Sequence, residues 1–294
     1  MKDFIAALLG TQAPFVRNAL FAGLLSAVLF GTIGSVVTVR RIGSLAGAVS
    51  HAVLGGIGMA LYFSAAGILP GFPPIAGAFV FAVLAALVIG IVSLKAKQRE
   101  DTVINAIWAI GMSLGVLFMA KTPGYTDPQA YLFGNILLIS NRDLVLLGVL
   151  DVFVLFLVLR FYPQIEASSF DGEFARVRGV PVGAVFLVLL GITACAIVLL
   201  QTFVGIVMVI AMLTLPAGCS SVFSRSLGGM MIVSSLFSAV FSAAGLAAGW
   251  AFDVPVGAMT VIIAGTVFLG MSALRVLKGK NRVFKRKLFN NSSH

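Results

Sequence analysis

The feature that most constrains this chain is a succession of long apolar runs, at residues 18–39, 44–68, 74–95, 102–120, 144–163, 181–200, 203–223, 229–251 and 255–275. Each approaches the roughly 20 apolar residues that a helix needs to cross a hydrocarbon core of about 30 Å. The chain is 60% hydrophobic and 10% charged, with a mean hydropathy of +1.10, whereas a soluble domain carries about 25% charged residues. Too little polar surface remains to cover a water-soluble globule of 294 residues. The expected fold is all-α, a polytopic transmembrane helical bundle of about nine spans, with eight as the alternative. Turn chemistry marks the gaps, as in Pro70-Gly71-Phe72-Pro73-Pro74, Thr122-Pro123-Gly124 and Asp253-Val254-Pro255. No gap is long enough to hold a second domain, so residues 1–294 are read as one transmembrane domain.

The net charge of +10 raises the question of nucleic acid, but binding there needs a basic patch on a folded surface. Here Lys and Arg fall in short gaps between apolar runs and in a tail, which is a topology pattern. If nine spans alternate from an outer N-terminal segment (1–17) to a cytoplasmic C-terminus, sixteen basic residues lie inside and four outside. Arg40, Arg41, Lys95, Arg160, Arg178 and Arg225 are among the sixteen; Lys2, Arg17, Lys121 and Arg142 are the four. That is a positive-inside distribution, and eight spans would put two adjacent segments on the wrong side of it. The basic tail, 276–294, reads as a cytoplasmic stop-transfer flank or as a contact for anionic lipid.

Enzyme constellations are missing. There is no G-x-x-x-x-G-K-[ST] phosphate loop and no H-E-x-x-H ligand set, so neither ATP hydrolysis nor metalloprotease chemistry is expected of this chain. Cys195 and Cys219 both lie in apolar runs and read as small buried hydrophobes. Glycine pairs at four-residue spacing, Gly43/Gly47 and Gly111/Gly115, predict close helix approach. Ionisable groups inside spans are costly and usually face a cavity, a partner or a transport path. Two stand out, His51 and Asp151. Imidazole suits a borderline transition metal, and a carboxylate can complete its shell. The plain alternatives are an imidazole hydrogen-bonded to a backbone carbonyl and an interhelical polar contact for Asp151.

The segment from Arg40-Arg41 through Ser50-His51-Ala52 to Gly55-Gly56 resembles the signature of the manganese/zinc/iron ABC permeases, R-R-x-S-L-x-G-D-A-x-S-H-A-x-L-P-G. Further stretches look like the same family, namely Arg99 to Ile104, Tyr131 to Leu137, Phe170 to Gly179, Leu215-Pro216-Ala217 and Asp253 to Gly257. The resemblance implies a fold like that of a type II ABC importer permease. It implies a homodimer with two cytoplasmic ABC ATPase subunits and an extracytoplasmic metal-binding protein, in a bacterial plasma (inner) membrane. It implies no bound cofactor, only a transported divalent metal. It places His51 on the metal path, and a cytoplasmic coupling helix within 165–180. In that segment Asp171, Glu173, Ala175, Arg176, Arg178 and Gly179 meet the ATPase. Asp171 suits a helix N-cap, and Glu173, Arg176 and Arg178 suit ion pairs. Two departures stand out. Ala48 replaces the family's carboxylate and Gly55 its proline. Without that carboxylate zinc becomes the expected ion, ahead of manganese or iron. The competing reading is a secondary, ion-coupled transporter. It is expected to show internal repeats and several intramembrane charges, and the sequence offers Asp151 alone.

Overall fold

The computed structural model describes residues 14–95, 100–124, 128–134 and 139–291. Most of the outer segment 1–17, the basic residues Lys97 and Arg99, Asn135–Leu137 and the side chains of the tail beyond 277 lie outside the described residues. Twelve helices follow in order among them. These are α1 (Pro14–Val39), α2 (Gly43–Ala65), α3 (Pro74–Lys95), α4 (Glu100–Lys121), α5 (Pro128–Phe133) and α6 (Asn141–Arg160). Then come α7 (Tyr162–Phe170), α8 (Gly172–Val177), α9 (Val182–Val204), α10 (Ile206–Ser220), α11 (Leu227–Phe252) and α12 (Val256–Asn291). The all-α expectation holds, but the count of nine spans does not.

Seven helices are long and apolar enough to cross a membrane, or eight if α6 and α7, bent by 70° at Phe161, form one crossing. The correction falls on run 203–223. Gly205, at φ 83°, breaks it from α9, and what remains is a 15-residue helix, about 22 Å long at 1.5 Å per residue. That is short of a hydrocarbon core. The helix is tolerable because no residue of α10 is exposed; it packs among α1, α11 and α12. Broken backbone at membrane depth is admissible only where protein surrounds it.

The two ends of the short helix meet different parts of the bundle. Gly205 at its start lies in contact with Gly134, and Gly257 packs on the Phe133 carbonyl at the same end. Beyond its last turn, the Gly228 N–H donates to the Tyr162 hydroxyl at 2.9 Å. Ser168, held by Arg40 at 3.1 Å, and Phe186, 5.5 Å under the same guanidinium, also gather at that opposite end.

Local chemistry sets many of the boundaries. Ser140 and Asp143 form a reciprocal capping box at the start of α6, satisfying donors that a helix N-terminus otherwise leaves free. Ser226 caps α11 through the Gly229 N–H. Within spans, Thr32, Ser35, Ser50, Thr193 and Thr260 donate to the carbonyl four residues back. Hydroxyls are thereby satisfied without leaving their own helix.

At the centre sits α2, buried from Leu45 through Gly58. It packs against α3, α4, α9 and α10. Around it the outer faces of α3, α6 and α11 expose Val, Leu and Phe, for example Leu84, Phe156 and Ile232. This is a surface that acyl chains would cover.

Candidate transport path and coupling segment

His51 lies two turns into α2 and is only 8% exposed. Its ring stacks on Trp108 of α4, with centroids 4.8 Å apart and planes 15° from parallel. Such a pair is worth about 0.5–1.5 kcal/mol beyond its buried area. The Nδ1 atom is buried and has no hydrogen-bond partner among the described residues. An imidazole nitrogen left without a backbone acceptor or donor retains its capacity to bind something else.

What allows the stack is the closeness of α4 to α2. A Cβ on Gly111 would lie 2.6 Å from Ala52 Cα and 3.0 Å from the His51 carbonyl oxygen. One on Gly115 would lie 2.8 Å from Leu54. Only glycine fits this seam, as the Gly111/Gly115 spacing predicts. The other predicted pair behaves differently. A Cβ on Gly43 would lie 3.3 Å from the Thr214 methyl, whereas one on Gly47 would meet nothing within 4 Å. Gly47 precedes His51 by one helical turn and shares its face, so open space adjoins the imidazole. Ala48, where the sequence reading put the absent carboxylate, is fully buried in the core; counted back from the His of the signature, the carboxylate's position is Gly47.

Beyond Trp108, the outer face of α4 forms a groove of about 740 Å³ lined by Asn105, Trp108, Ala109, Met112, Ser113, Val116 and Leu117. Asn105 and Ser113 are eight residues apart on one helix, about 12 Å, so they do not converge on one ion. No group of three or more His, Cys, Asp and Glu side chains able to hold a metal occurs among the described residues. Among the described residues, one chain offers one imidazole, His51, and a groove.

Asp151 is 5% exposed, on the α6 stripe Leu147–Asp151–Val154–Val158. Its two carboxylate oxygens have no hydrogen-bond partner among the described residues. Since α6 packs chiefly on α1, and α2 chiefly on α3 and α4, the structure does not bring Asp151 and His51 onto one contact surface.

The segment 165–180 forms a second, different site. Asp171 ends α7 and begins α8, its carboxylate accepting from the Glu173 N–H at 3.1 Å and the Phe174 N–H at 2.9 Å. At the other end Gly179 takes φ 80°. Val180 N–H donates to the Ala175 carbonyl at 3.0 Å, and Gly179 N–H to that of Arg176 at 2.9 Å. This is a Schellman stop, which needs a residue free to adopt the left-handed region. Ala175 faces inward and is buried. Glu173, Arg176 and Arg178 point to solvent, with the Arg178 guanidinium 5.1 Å over the Phe174 ring.

Sequence reasoning missed the apolar part of both sites. Phe174 is 52% and Val177 88% exposed, with Phe170 beside them, giving a six-residue helix an outward apolar face. Exposed apolar clusters of this kind mark contact surfaces. The signal was present, as two phenylalanines four residues apart in an otherwise polar segment. For Trp108 there was none, since its partner is 57 positions away in sequence.

The model of the family described as "ABC 3 transport family" matches residues 12–275. An uncharacterized membrane protein of Synechocystis is 37% identical over 90% of this chain and 92% of its own length. A manganese transport system membrane protein, MntC, of Listeria monocytogenes is 32% identical over 87% of this chain and 89% of its own. Among solved structures, PsaBC from Streptococcus pneumoniae in complex with Fab superposes with a TM-score of 0.79 at 29% identity, covering 91% of this chain and 94% of that one. With a family model that spans its apolar helices and the segment between α6 and α9, this membrane protein belongs to the ABC 3 transport family.

Proposed function

We propose that the chain is the permease subunit of an ATP-driven importer for a divalent transition metal. It works as a homodimer, with two ABC ATPase subunits on the cytoplasmic side and a metal-binding protein on the other. The observation that carries this reading is α8, a short helix capped at both ends, with apolar and charged side chains turned outward. A helix so exposed and so well terminated is suited to seat in a groove of a partner. It stands at the end of the bundle that holds Arg40, Arg160 and Arg225, which the positive-inside pattern assigns to the cytoplasm of a bacterial cell. The same assignment puts the C-terminus there.

The transported ion would pass between α2 and α4. His51, with its unpartnered Nδ1, would supply part of a coordination shell, and the groove beyond Trp108 adjoins it. A second copy of the chain meeting the first along α4 would supply another imidazole, and two imidazoles suit zinc. The name of the Listeria relative favours manganese, which prefers oxygen ligands. The space beside Gly47 decides how this is tested. Gly47→Asp would put a carboxylate on the His51 face, where a Cβ meets nothing within 4 Å. It should raise manganese uptake relative to zinc, measured by competition between the two ions.

ATP dependence is tested in liposomes holding the permease with and without its ATPase. Uptake that requires the ATPase and ATP supports the proposal. Full-rate uptake by the permease alone, driven by a proton gradient, would sink it in favour of a secondary transporter.

A further inference from the structure

Arg40 sits in the three-residue turn that joins α1 to α2, yet its side chain does not point to water as a topology-setting charge is expected to. The turn is closed by its own backbone. Arg40 N–H donates to the Val36 carbonyl at 3.0 Å, Arg41 N–H to Thr38 at 3.1 Å and Ile42 N–H to Val37 at 2.9 Å. Arg41 takes φ 58° and faces solvent. The Arg40 guanidinium instead reaches across to two other elements. Its Nη2 donates to the Ser168 carbonyl oxygen at 3.1 Å, and its Cζ lies 5.5 Å from the centroid of the Phe186 ring. Its Nη1 is buried without a partner among the described residues. A guanidinium cannot shed its charge by deprotonation, so holding one half-satisfied inside the protein costs stability.

The two residues it holds bracket α8 in the chain. Ser168 precedes Asp171, the N-cap of α8, by three residues, and Phe186 lies in the first turns of α9, just after α8 and its Gly179 stop. Any displacement of α8 relative to the bundle therefore moves one or both Arg40 contacts. From Arg40 the path to His51 is short and stiff. The turn is three residues long, α2 has no proline between Gly43 and Ala65, and His51 follows Gly43 by eight residues, about 12 Å of helix.

We infer that Arg40 is a positioning residue that ties the coupling segment to α2, so that movement of α8 is passed to the helix carrying His51. This rests on the proposed function, and it adds a connection between two sites that are otherwise separate. Arg40 touches neither the ion nor the ATPase; it acts through α2.

The test uses the permease reconstituted with its ATPase in liposomes, with metal uptake and ATP hydrolysis measured on the same sample. In Arg40→Gln, hydrolysis should stay near the wild-type rate while metal moved per ATP falls about tenfold, a typical size for lost coupling between sites. Arg40→Lys keeps the charge but loses the planar fork, and should fall in between. Should Arg40→Gln fail to accumulate, Phe186→Leu keeps the apolar bulk, removes the ring face and should lower the same ratio by a smaller factor. A ratio unchanged in the Arg40 and Phe186 variants overturns the inference. So does a parallel fall of uptake and hydrolysis, which would mark Arg40 as merely structural. Wild-type uptake that needs no ATPase would instead overturn the proposed function.

Discussion

The surroundings of His51 and the segment around α8 are built by opposite means. Around His51, order comes from packing. Gly111 and Gly115 bring α4 against α2, Trp108 covers the imidazole, and the His51 Nδ1 has no hydrogen bond among the described residues. Around α8, order comes from the chain itself: an Asp171 cap, a Gly179 stop and one buried anchor, Ala175. A seam of backbone contact such as that at Gly111 and Gly115 tolerates no added atoms. An exposed helix built on caps tolerates surface change structurally, but not at its contacts. Damage to the first should therefore show as lost stability, and damage to the second as lost function in an intact fold.

The sharpest way to break this contrast is at the surface of α8. Glu173→Lys or Arg176→Glu should abolish uptake while membrane insertion and thermal unfolding stay as in the wild type. Normal transport in both variants would show that α8 is not the ATPase contact. Next in size comes the seam. Gly111→Leu must displace Ala52 and the His51 backbone, and should lower stability by about 3 kcal/mol, the upper range for overpacking. Thermal unfolding in detergent reads this directly, and an unshifted transition would mean that α4 can slide away at little cost.

His51→Ala comes third. It removes a side chain but leaves the glycine seam, so the bundle should stay folded. Uptake should fall by no less than the roughly tenfold that loss of even an outer-shell partner costs a metal site. Unchanged uptake kinetics would leave the imidazole a packing partner of Trp108. The smallest effect is expected at Asp171→Ala, which removes an N-cap worth about 1 kcal/mol. It should weaken ATPase co-purification a few-fold without touching the unfolding of the bundle. If it instead unfolds the protein, α8 is not a locally stabilised element.

How much was legible in advance divides along the same line. The start of α8 could be read from Asp171, because an N-cap depends on residues two or three positions apart, whereas the Gly179 stop emerged only in the structure. The glycine seam at Gly111/Gly115 was also legible as spacing, while Gly43/Gly47 had the same spacing and proved to be no seam at all. Spacing says that a close approach is possible; only the neighbouring helix makes it. The run at 203–223 was misread for a similar reason. Its apolar composition was that of a span, but composition does not tell a helix bathed in lipid from a 15-residue one enclosed by α1, α11 and α12. Gly205 was the available sign, and it became meaningful only with Gly134 and Gly257 packed around it.

Taken alone, the sequence determined that this chain lives in a membrane, that it is all helix, which end of it is basic, and where one short helix starts. These are properties of composition and of near neighbours in the chain. Tertiary structure decided which ionisable residues share a surface. It set His51 against Trp108 and open space beside Gly47, left Asp151 on another helix pair, and turned Arg40 inward onto Ser168 and Phe186. Those pairings span tens to over a hundred residues, and they depend on how the helices are packed, which short-range propensity does not encode.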